Sequence, residues 1–416
     1  MQPKFIASLR TVGAASSRRL RTTGQALALT ALIGSQAFSG TGIALNAQND
    51  IEALVVKALR EVRAAQLEQA SRTVTQILER APNYRLAHLI QGDLLLARAR
   101  PLQAFGNATP EPSESLQGLR AEALARLQRA QEAIPADRIP ANFWRVPVTA
   151  AHAMALDVDR SRLYIFENRG GQLHRIADFY ATIGKEGSGK SKEGDQRTPI
   201  GAYFLQAAIP RQKLTDFYGA GAYPLDYPND FDRRLNRSGY GIWLHGVGSD
   251  TFARAPRASD GCIVVSNPDL KLIERFIVPG RTPIVVAQSI EWIDRNQAQR
   301  HSQGVLTAFE RWRGDMQSLN LVKYLDHYGA AFSADGMDLR GWEAQRRQLF
   351  SRTEWAQVEV SNVSAMQYPG TRDIALVTFD QAYKSSKFNS QLRKRQLWQL
   401  AADGRWKIIF EGHTQS

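Results

Sequence analysis

One cysteine and one histidine in this chain stand in contexts that suit nucleophilic catalysis. Cys262 is the only cysteine of the 416 residues and follows Gly261, and His245 ends an apolar run upstream of it. A thiol reacts as the thiolate, and a neighbouring imidazole is the usual group that takes its proton. The alternative for a lone cysteine is a small buried hydrophobic residue. We expect Cys262 to be a nucleophile and His245 its base.

The residues beside Cys262 favour this chemistry. Gly261 allows the backbone to approach a substrate closely or to adopt a positive φ. The backbone N–H groups of Gly261 and Cys262 are candidate donors to the oxyanion of a tetrahedral intermediate. The runs 262–265 and 239–245 predict two short strands. Two strand ends that meet at one edge of a sheet would bring the thiol and the imidazole together.

Four ordered motifs over residues 145–287 resemble the YkuD-type L,D-transpeptidases of bacterial cell-wall synthesis. They are His245-Gly246, Ser259-Asp260-Gly261-Cys262, Thr198-Pro199-Ile200-Gly201-Ala202-Tyr203, and Tyr223-Pro224-Leu225-Asp226-Tyr227-Pro228-Asn229. Two positions depart from the pattern of many members. Asp260 stands where they have His, and Val264 stands where they have Arg. The specificity for the donor peptide and the choice between acyl transfer and hydrolysis therefore stay open. The chain resembles a variant branch of the family that lacks this Arg more than it resembles the other members.

The resemblance implies a reaction and a set of roles. The Cys262 thiolate attacks the bond between the L-centre of diaminopimelate and a terminal D-amino acid in a peptidoglycan stem peptide. His245 takes and returns the proton, and the carbonyl of Ser259 orients the imidazole. The residues assigned to substrate binding are Gly246, Asp260 and Tyr227. No cofactor and no metal are needed.

Two other functional classes remain alternatives. A hydrolase on the same scaffold, an L,D-carboxypeptidase or amidase, would cleave the same bond, because only the acceptor, water or an amine, differs. A non-catalytic wall-binding scaffold would need a degenerate site, and the intact His245 and Cys262 argue against it.

A rival motif, Gly184–Ser191, fits the phosphate-binding pattern G-x-x-x-x-G-K-[ST]. Such a loop must open a helix, but Gly194 and Pro199 follow without an apolar period. We therefore predict a Gly-rich hairpin loop and no nucleotide binding. On this interpretation Lys190→Ala leaves activity within a few-fold.

Composition limits the remaining classes. A chain of 416 residues predicts two or three domains. The formal net charge of +13 suits an acidic polymer, and no nucleic-acid-binding motif accompanies it. The other histidines stand at no metal-ligand spacing, and a single cysteine argues against structural zinc.

The N-terminus predicts export. A basic segment with Arg18 and Arg19 precedes the short apolar core 26–33, and small residues near Ala44 and Ala47 suit cleavage. We expect residues 1–47 to be a signal peptide and the protein to be periplasmic or in the cell envelope. The Arg pair weakly resembles a twin-arginine signal, so the export route stays open.

The fold class predicted is multidomain. Residues 48–135 resemble a tetratricopeptide-type helical region, with one long helix to Leu78 and a break at 81–84, and are a candidate surface for wall-associated proteins. A linker follows at 135–147, and then the mainly-β catalytic domain at 145–287. Residues 298–416 predict an α+β unit that resembles the NTF2/SnoaL-like cone, a fold that often binds ligands or dimerises.

Overall fold

The computed structural model describes residues 49–102, 104–106, 113–334 and 336–413. Within these ranges a helical region precedes a β-rich centre and an α+β unit, so the predicted fold class is confirmed. The predicted signal peptide, 1–47, lies outside the described residues. None of the described helices is long and apolar enough to cross a membrane.

The N-terminal region is a bundle of helices around its own apolar core. The helices are α1 (Asn49–Arg63), α2 (Leu67–Arg80), α3 (Arg85–Ala97) and α4 (Glu114–Arg129). The prediction of one long helix up to Leu78 was wrong, because the chain turns at residues 64–66. Ala65 has a φ of 57° there, which ends a right-handed helix. The hydrophobic spacing hid the break because α1 and α2 both bury their apolar faces in the same core.

The central unit is built on a five-stranded sheet in the order β5-β4-β3-β12-β7. Its early strands are β3 (His152–Asp157), β4 (Arg162–Arg169), β5 (Gln172–Tyr180) and β7 (Gly201–Phe204), and β12 is Pro283–Ala287. β3 and β12 run parallel, and the other pairs are antiparallel. The pleat sends alternate residues to opposite faces, so both faces carry apolar side chains.

Short elements over one face of this sheet carry the predicted site. They are β6 (Ile183–Gly184), β8 (Ala222–Pro224), α5 (Asp230–Arg234), β9 (Trp243–His245), β10 (Arg257–Ser259), β11 (Ile263–Val264) and α6 (Asn267–Ile273). β9 lies between β11 and β8. Leu244 and Ile263 are fully buried against Met154 and Ile284 of the large sheet. The two strands that carry the predicted site, β9 and β11, are therefore packed on the apolar core of the large sheet.

The C-terminal unit is a sheet wrapped around helices. Its elements are α7 (Arg295–Gln317), α8 (Leu321–Asp326), β14 (Tyr328–Ala334), β15 (Met337–Asp338), α9 (Leu339–Ser351), β16 (Ala356–Gln367), β17 (Ile374–Ser385), β18 (Asn389–Leu400) and β19 (Trp406–His413). The strand order is β15-β14-β19-β18-β17-β16, and β2 (Phe143–Arg145) completes the sheet beside β16. The sequence predicts strands at 358–360, 374–379, 396–400 and 406–410, with a hairpin turn at 402–404, and these segments lie in β16 to β19.

The segment expected to be a linker forms short strands that pair with strands of the other units. β1 (Ile139–Pro140) pairs with β13 (Trp292–Ile293), and β2 (Phe143–Arg145) adds to the C-terminal sheet beside β16. The second face of the central sheet packs on that C-terminal sheet in one continuous core. The predicted domain limits therefore remain a prediction, since strands and core cross them.

Candidate functional site

The backbone brings Cys262 and His245 to one face of a two-strand ladder. β11 runs parallel to β9, with Val264 opposite His245 and Ile263 opposite Leu244. Cys262 lies two residues before Val264, so its side chain points to the same face as the imidazole. The offset between the two residues is about 7 Å along the strands. The expected meeting of two strand ends at one edge was wrong: because the strands run parallel, Cys262 precedes the start of β11 beside Trp243, whereas His245 ends β9.

The imidazole of His245 is completely buried and is held by one hydrogen bond. Its Nδ1 lies 2.6 Å from the carbonyl oxygen of Gly246. A carbonyl only accepts, so Nδ1 carries the proton and Nε2 carries the lone pair. Nε2 is buried and has no hydrogen-bond partner among the described residues. Burial and, to a smaller extent, the positive charge of Arg254 lower the pKa of His245 to about 4, although the hydrogen bond to Gly246 opposes the shift. The residue is therefore a neutral base.

The expectation for the carbonyl of Ser259 is corrected by this contact. That oxygen accepts the backbone N–H of Lys185, 2.8 Å away, while Gly246 orients the imidazole. The Ser259 hydroxyl has another role in the turn. It donates to the carbonyl of Cys262 at 2.7 Å and accepts the N–H of Gly261 at 3.2 Å. Ser259 thus fixes the turn that presents the nucleophile.

The thiol of Cys262 is protonated in the resting site. Its Sγ donates to the carbonyl of Gly241 across 3.4 Å. Burial raises the pKa of Cys262, and the Trp243 backbone N–H, which faces the sulfur, lowers it in part. A neutral thiol beside a neutral base requires the proton to move as the substrate is attacked. Hydrogen bonds between catalytic groups are often formed only with substrate in place.

Gly261 has a conformation that a side chain would not tolerate. Its φ is +119°, and a Cβ would lie 2.7 Å from the carbonyl oxygen of Arg197. Its N–H is bonded to Ser259, so the Cys262 N–H is left as the candidate oxyanion donor in this turn. The Gly261 carbonyl accepts the Thr198 hydroxyl at 3.0 Å. The Thr-Pro-x-Gly motif therefore supports the nucleophile turn directly.

Gly246 positions the base, although it was expected to bind substrate. Asn267, at the start of α6, reaches over it and accepts the N–H groups of Ala220 and Val247 at 2.8 and 3.1 Å. A Cβ on Gly246 would lie 2.1 Å from the Asn267 side-chain oxygen. Only glycine allows this close approach.

The two other predicted substrate residues differ in exposure. Asp260 is exposed beside Cys262 and pairs with Lys185 at 3.0 Å, so it remains a candidate for substrate contact. Tyr227 is buried in the core, and its hydroxyl donates to the Ser238 carbonyl at 2.9 Å. We therefore assign Tyr227 to the support of the domain, which corrects the expectation.

The sequence analysis missed two aromatic residues and one arginine that lie beside Cys262 and His245. The rings of Phe217 and Tyr218 lie 5.8 and 5.1 Å from the His245 ring. The Arg254 guanidinium lies 4.3 Å above the Phe217 ring and donates to its carbonyl at 3.2 Å. Arg254 supplies positive charge near Cys262, where Val264 cannot. Arg254 lies in the variable stretch between the two motifs, where no sequence pattern indicates a role for it.

The segment Gly184–Ser191, whose sequence fits the phosphate-binding pattern, is a structural loop. Lys190 is 3% exposed, and its Nζ donates to Asp195 at 2.7 Å and to the Lys192 carbonyl at 3.0 Å. A Cβ on Gly239, two residues before Gly241, would lie 3.2 Å from the Lys190 Cε. Lys190 thus supports the segment that contacts the thiol, which argues against the expectation that Lys190→Ala leaves activity within a few-fold.

Within the described ranges, no three His, Cys, Asp or Glu side chains come together in a way that could hold a metal ion.

Comparison with known proteins adds family evidence. Residues 153–286 match the model of the YkuD L,D-transpeptidase catalytic domain, and residues 304–412 match the Cds6 C-terminal NTF2-like domain. A search of curated proteins found no match.

Solved structures share most of the architecture. The structure of Bd1075 from Bdellovibrio bacteriovorus is 29% identical, with a TM-score of 0.59, over 67% of this chain and 99% of that one. The helical cell shape determining protein Pgp2 from Campylobacter jejuni is 20% identical, with a TM-score of 0.56, over 67% of this chain and 96% of that one. A variant of Pgp2 is 19% identical, with a TM-score of 0.56, over 73% and 100%. At these identities the Pgp2 likeness concerns the fold.

Proposed function

The chain contains a catalytic domain of the YkuD L,D-transpeptidase family, and from this premise we propose that it is a cysteine acyltransferase acting on peptidoglycan stem peptides. The observation that carries the proposal is the unpartnered Nε2 of His245, a neutral base on the same face as Cys262. A buried acceptor without a partner costs free energy, so its retention suits a role in proton transfer.

The reaction follows from the positions of these groups. The Cys262 proton passes to Nε2 of His245, and the sulfur attacks the carbonyl carbon at the L-centre of diaminopimelate. The Cys262 N–H stabilises the oxyanion. The C–N bond then breaks, His245 returns the proton to the leaving D-amino acid, and a thioester remains. An amine acceptor attacks the thioester and forms a cross-link, and the proton returns through His245 to the thiol.

Arg254 suits recognition of the donor stem. Its guanidinium makes no ion pair within 4 Å among the described residues, and it lies at the edge of the site over Phe217. A stem peptide that ends in a D-amino acid carries a free carboxylate, which a guanidinium binds through two hydrogen bonds.

Hydrolysis by an L,D-carboxypeptidase is the second candidate, because only the acceptor differs. Cys262 is partly exposed, so water as well as an amine can reach a thioester formed on its sulfur. Val264, where many members of the family have Arg, leaves the choice of acceptor open.

The biological setting is part of the proposal. Export by the segment 1–47 would place the enzyme in the periplasm, where peptidoglycan lies. Pgp2 is a helical cell shape determining protein, and we propose a comparable contribution of wall modification to cell shape here. The helical region is the proposed contact for wall-associated proteins.

Muropeptide analysis tests the reaction. Purified mature protein is incubated with wall sacculi, which are then digested and examined by mass spectrometry. New L,D cross-links support the transpeptidase, and stems shortened by one D-amino acid support the carboxypeptidase. Unchanged sacculi would contradict both and leave the wall-binding scaffold.

A further inference from the structure

The loop between the base and the nucleophile, residues 247–256, is hereafter the bridging loop. It packs on the helical region at the N-terminus of the chain. Ala253 is buried within the core of that region, and Phe252 packs beside it. The Phe252 ring lies 4.8 Å from the ring of Tyr84, which stands just before α3. The active-site domain therefore inserts apolar side chains into the helical bundle.

Polar contacts hold the same loop on the N-terminal side of Phe252, and close packing holds it on the C-terminal side. The Asn83 side chain donates to the carbonyl of Ser249 at 3.0 Å, and Arg85 forms an ion pair with Asp250. α4 passes so close that a Cβ on Gly118 would lie 2.8 Å from the Cβ of Ala255. Two parts of the helical region thus fix the path of the bridging loop.

Arg254 belongs to this loop and points towards the catalytic pair. Its carbonyl accepts the hydroxyls of Tyr180 and Thr182 at 2.9 and 3.1 Å. Its guanidinium lies over Phe217, whose ring contacts His245. The helical region therefore holds Phe252, and residues around the predicted active site hold Arg254.

We propose that the helical region is a working part of the active site, in which Tyr84 and Phe252 position Arg254 so that its charge stabilises the Cys262 thiolate. Phe252 and Tyr84 are positioning residues, since they act through Arg254. The inference rests on the proposed pair of Cys262 and His245. It gives the helical region a function within the reaction, in addition to any contact with other proteins.

The charges around the thiol agree with this arrangement. Burial raises the pKa of Cys262, and the positive charges of Arg254 and Lys190 lower it, whereas Asp260 raises it. Burial raises the pKa of Tyr218, and the neighbouring charge of an ionised Cys262 adds to this rise. The groups to be considered in any pH profile of the thiol are therefore Lys190, Tyr218, His245, Arg254 and Asp260.

A double-mutant cycle tests whether Phe252 acts through Arg254. The rate of Cys262 alkylation by iodoacetamide is measured against pH in the mature protein. Arg254→Gln is expected to slow alkylation at neutral pH by about 3- to 10-fold, because one unit of thiol pKa changes the thiolate fraction tenfold. Phe252→Ala is expected to slow it in the same direction. The double variant should match Arg254→Gln alone, since coupled residues are not additive.

Controls separate positioning from loss of stability. Val74→Ala truncates the same helical core on α2, and it should lower the unfolding temperature while alkylation stays at the wild-type rate. Asn83→Ala provides the same comparison with a milder change if Phe252→Ala does not fold. Additive effects of Phe252→Ala and Arg254→Gln, or slowed alkylation in Val74→Ala, would overturn the proposal. Alkylation requires no wall substrate, so this outcome is independent of the sacculus assay.

Discussion

The Thr198 hydroxyl lies 3.0 Å from the carbonyl oxygen of Gly261 and donates to it, so the Thr-Pro-x-Gly segment holds the residue before the nucleophile. The same hydroxyl accepts the N–H of Gly184 at 2.9 Å, and Thr198 is fully buried. One side chain thus connects three segments that are distant in sequence. The position of Cys262 depends on this connection.

Replacing Thr198 by Val tests that dependence. The shape is kept, but two buried backbone groups lose their partner, at about 1–3 kcal/mol for each. We expect kcat to fall at least about 10-fold, with the nucleophile turn displaced. Thr198→Ser keeps the hydroxyl and should retain most of the activity. Equal kcat values in the Val and Ser variants would contradict the role of this hydrogen bond.

Lys190→Ala is expected to destabilise the protein by roughly 3 kcal/mol, because it leaves the Asp195 carboxylate without its buried cation. The Lys190 ammonium and neighbouring N–H groups lower the pKa of Asp195 to about 2, although burial opposes this, so the carboxylate is ionised at neutral pH. Chemical denaturation measures the change.

The matched control is Lys185→Ala, which removes an exposed ion pair and should change stability by less than about 1 kcal/mol. Calorimetry with MgATP should show no binding to the wild type. Micromolar nucleotide affinity that Lys190→Ala abolishes would restore the phosphate-binding interpretation.

Cys262 and His245 could be proposed as a pair from the sequence, because each lies in a short motif with its own glycine. The contacts that surround the two residues could not be predicted. The role of Thr198 was hidden, since a hydroxyl that bridges three segments leaves no local pattern. Arg254 could not be found, because its position is set by helices more than 100 residues earlier in the chain.

The fold shows the same limit. The strand-like runs 358–360, 374–379, 396–400 and 406–410 predicted the strands β16 to β19 but not their full lengths, since the longer polar parts of these strands carry no strand pattern. The pairing of Phe143–Arg145 with β16 could not be predicted from the sequence, because a strand of three residues is too short to show an alternating apolar pattern. The turn at Ala65 was missed because two helices that share one core keep a continuous apolar spacing.

The buried imidazole predicts a specific acid sensitivity. His245 has an ordinary pKa of 6.5 when unfolded and about 4 when folded. Its depressed pKa means that stability present above 6.5 is lost as the pH falls towards 4, by up to about 3 kcal/mol. Denaturant titrations from about pH 7 to pH 4 should show that His245→Gln loses correspondingly less stability than the wild type. Identical slopes would mean that the imidazole is not buried in its neutral form.

A carbapenem should acylate Cys262. The thiolate that forms beside the Cys262 N–H is expected to open the strained β-lactam carbonyl. Intact-protein mass spectrometry should show a single adduct that maps to Cys262, and His245→Gln should slow its formation because the base is lost. An adduct on another residue would contradict the assignment. Turnover of sacculi without any adduct would favour rapid hydrolysis over transfer.

The central claim is that Cys262 forms the acyl-enzyme, and the most direct test compares wild type with Cys262→Ala on the same sacculi. Circular dichroism first checks that the variant is folded. The predicted result is that the wild type changes the muropeptide profile, while Cys262→Ala leaves it as in the untreated control, since no neighbouring group replaces the thiol. A folded Cys262→Ala variant that retains more than a few per cent of the wild-type turnover would contradict the thiol mechanism.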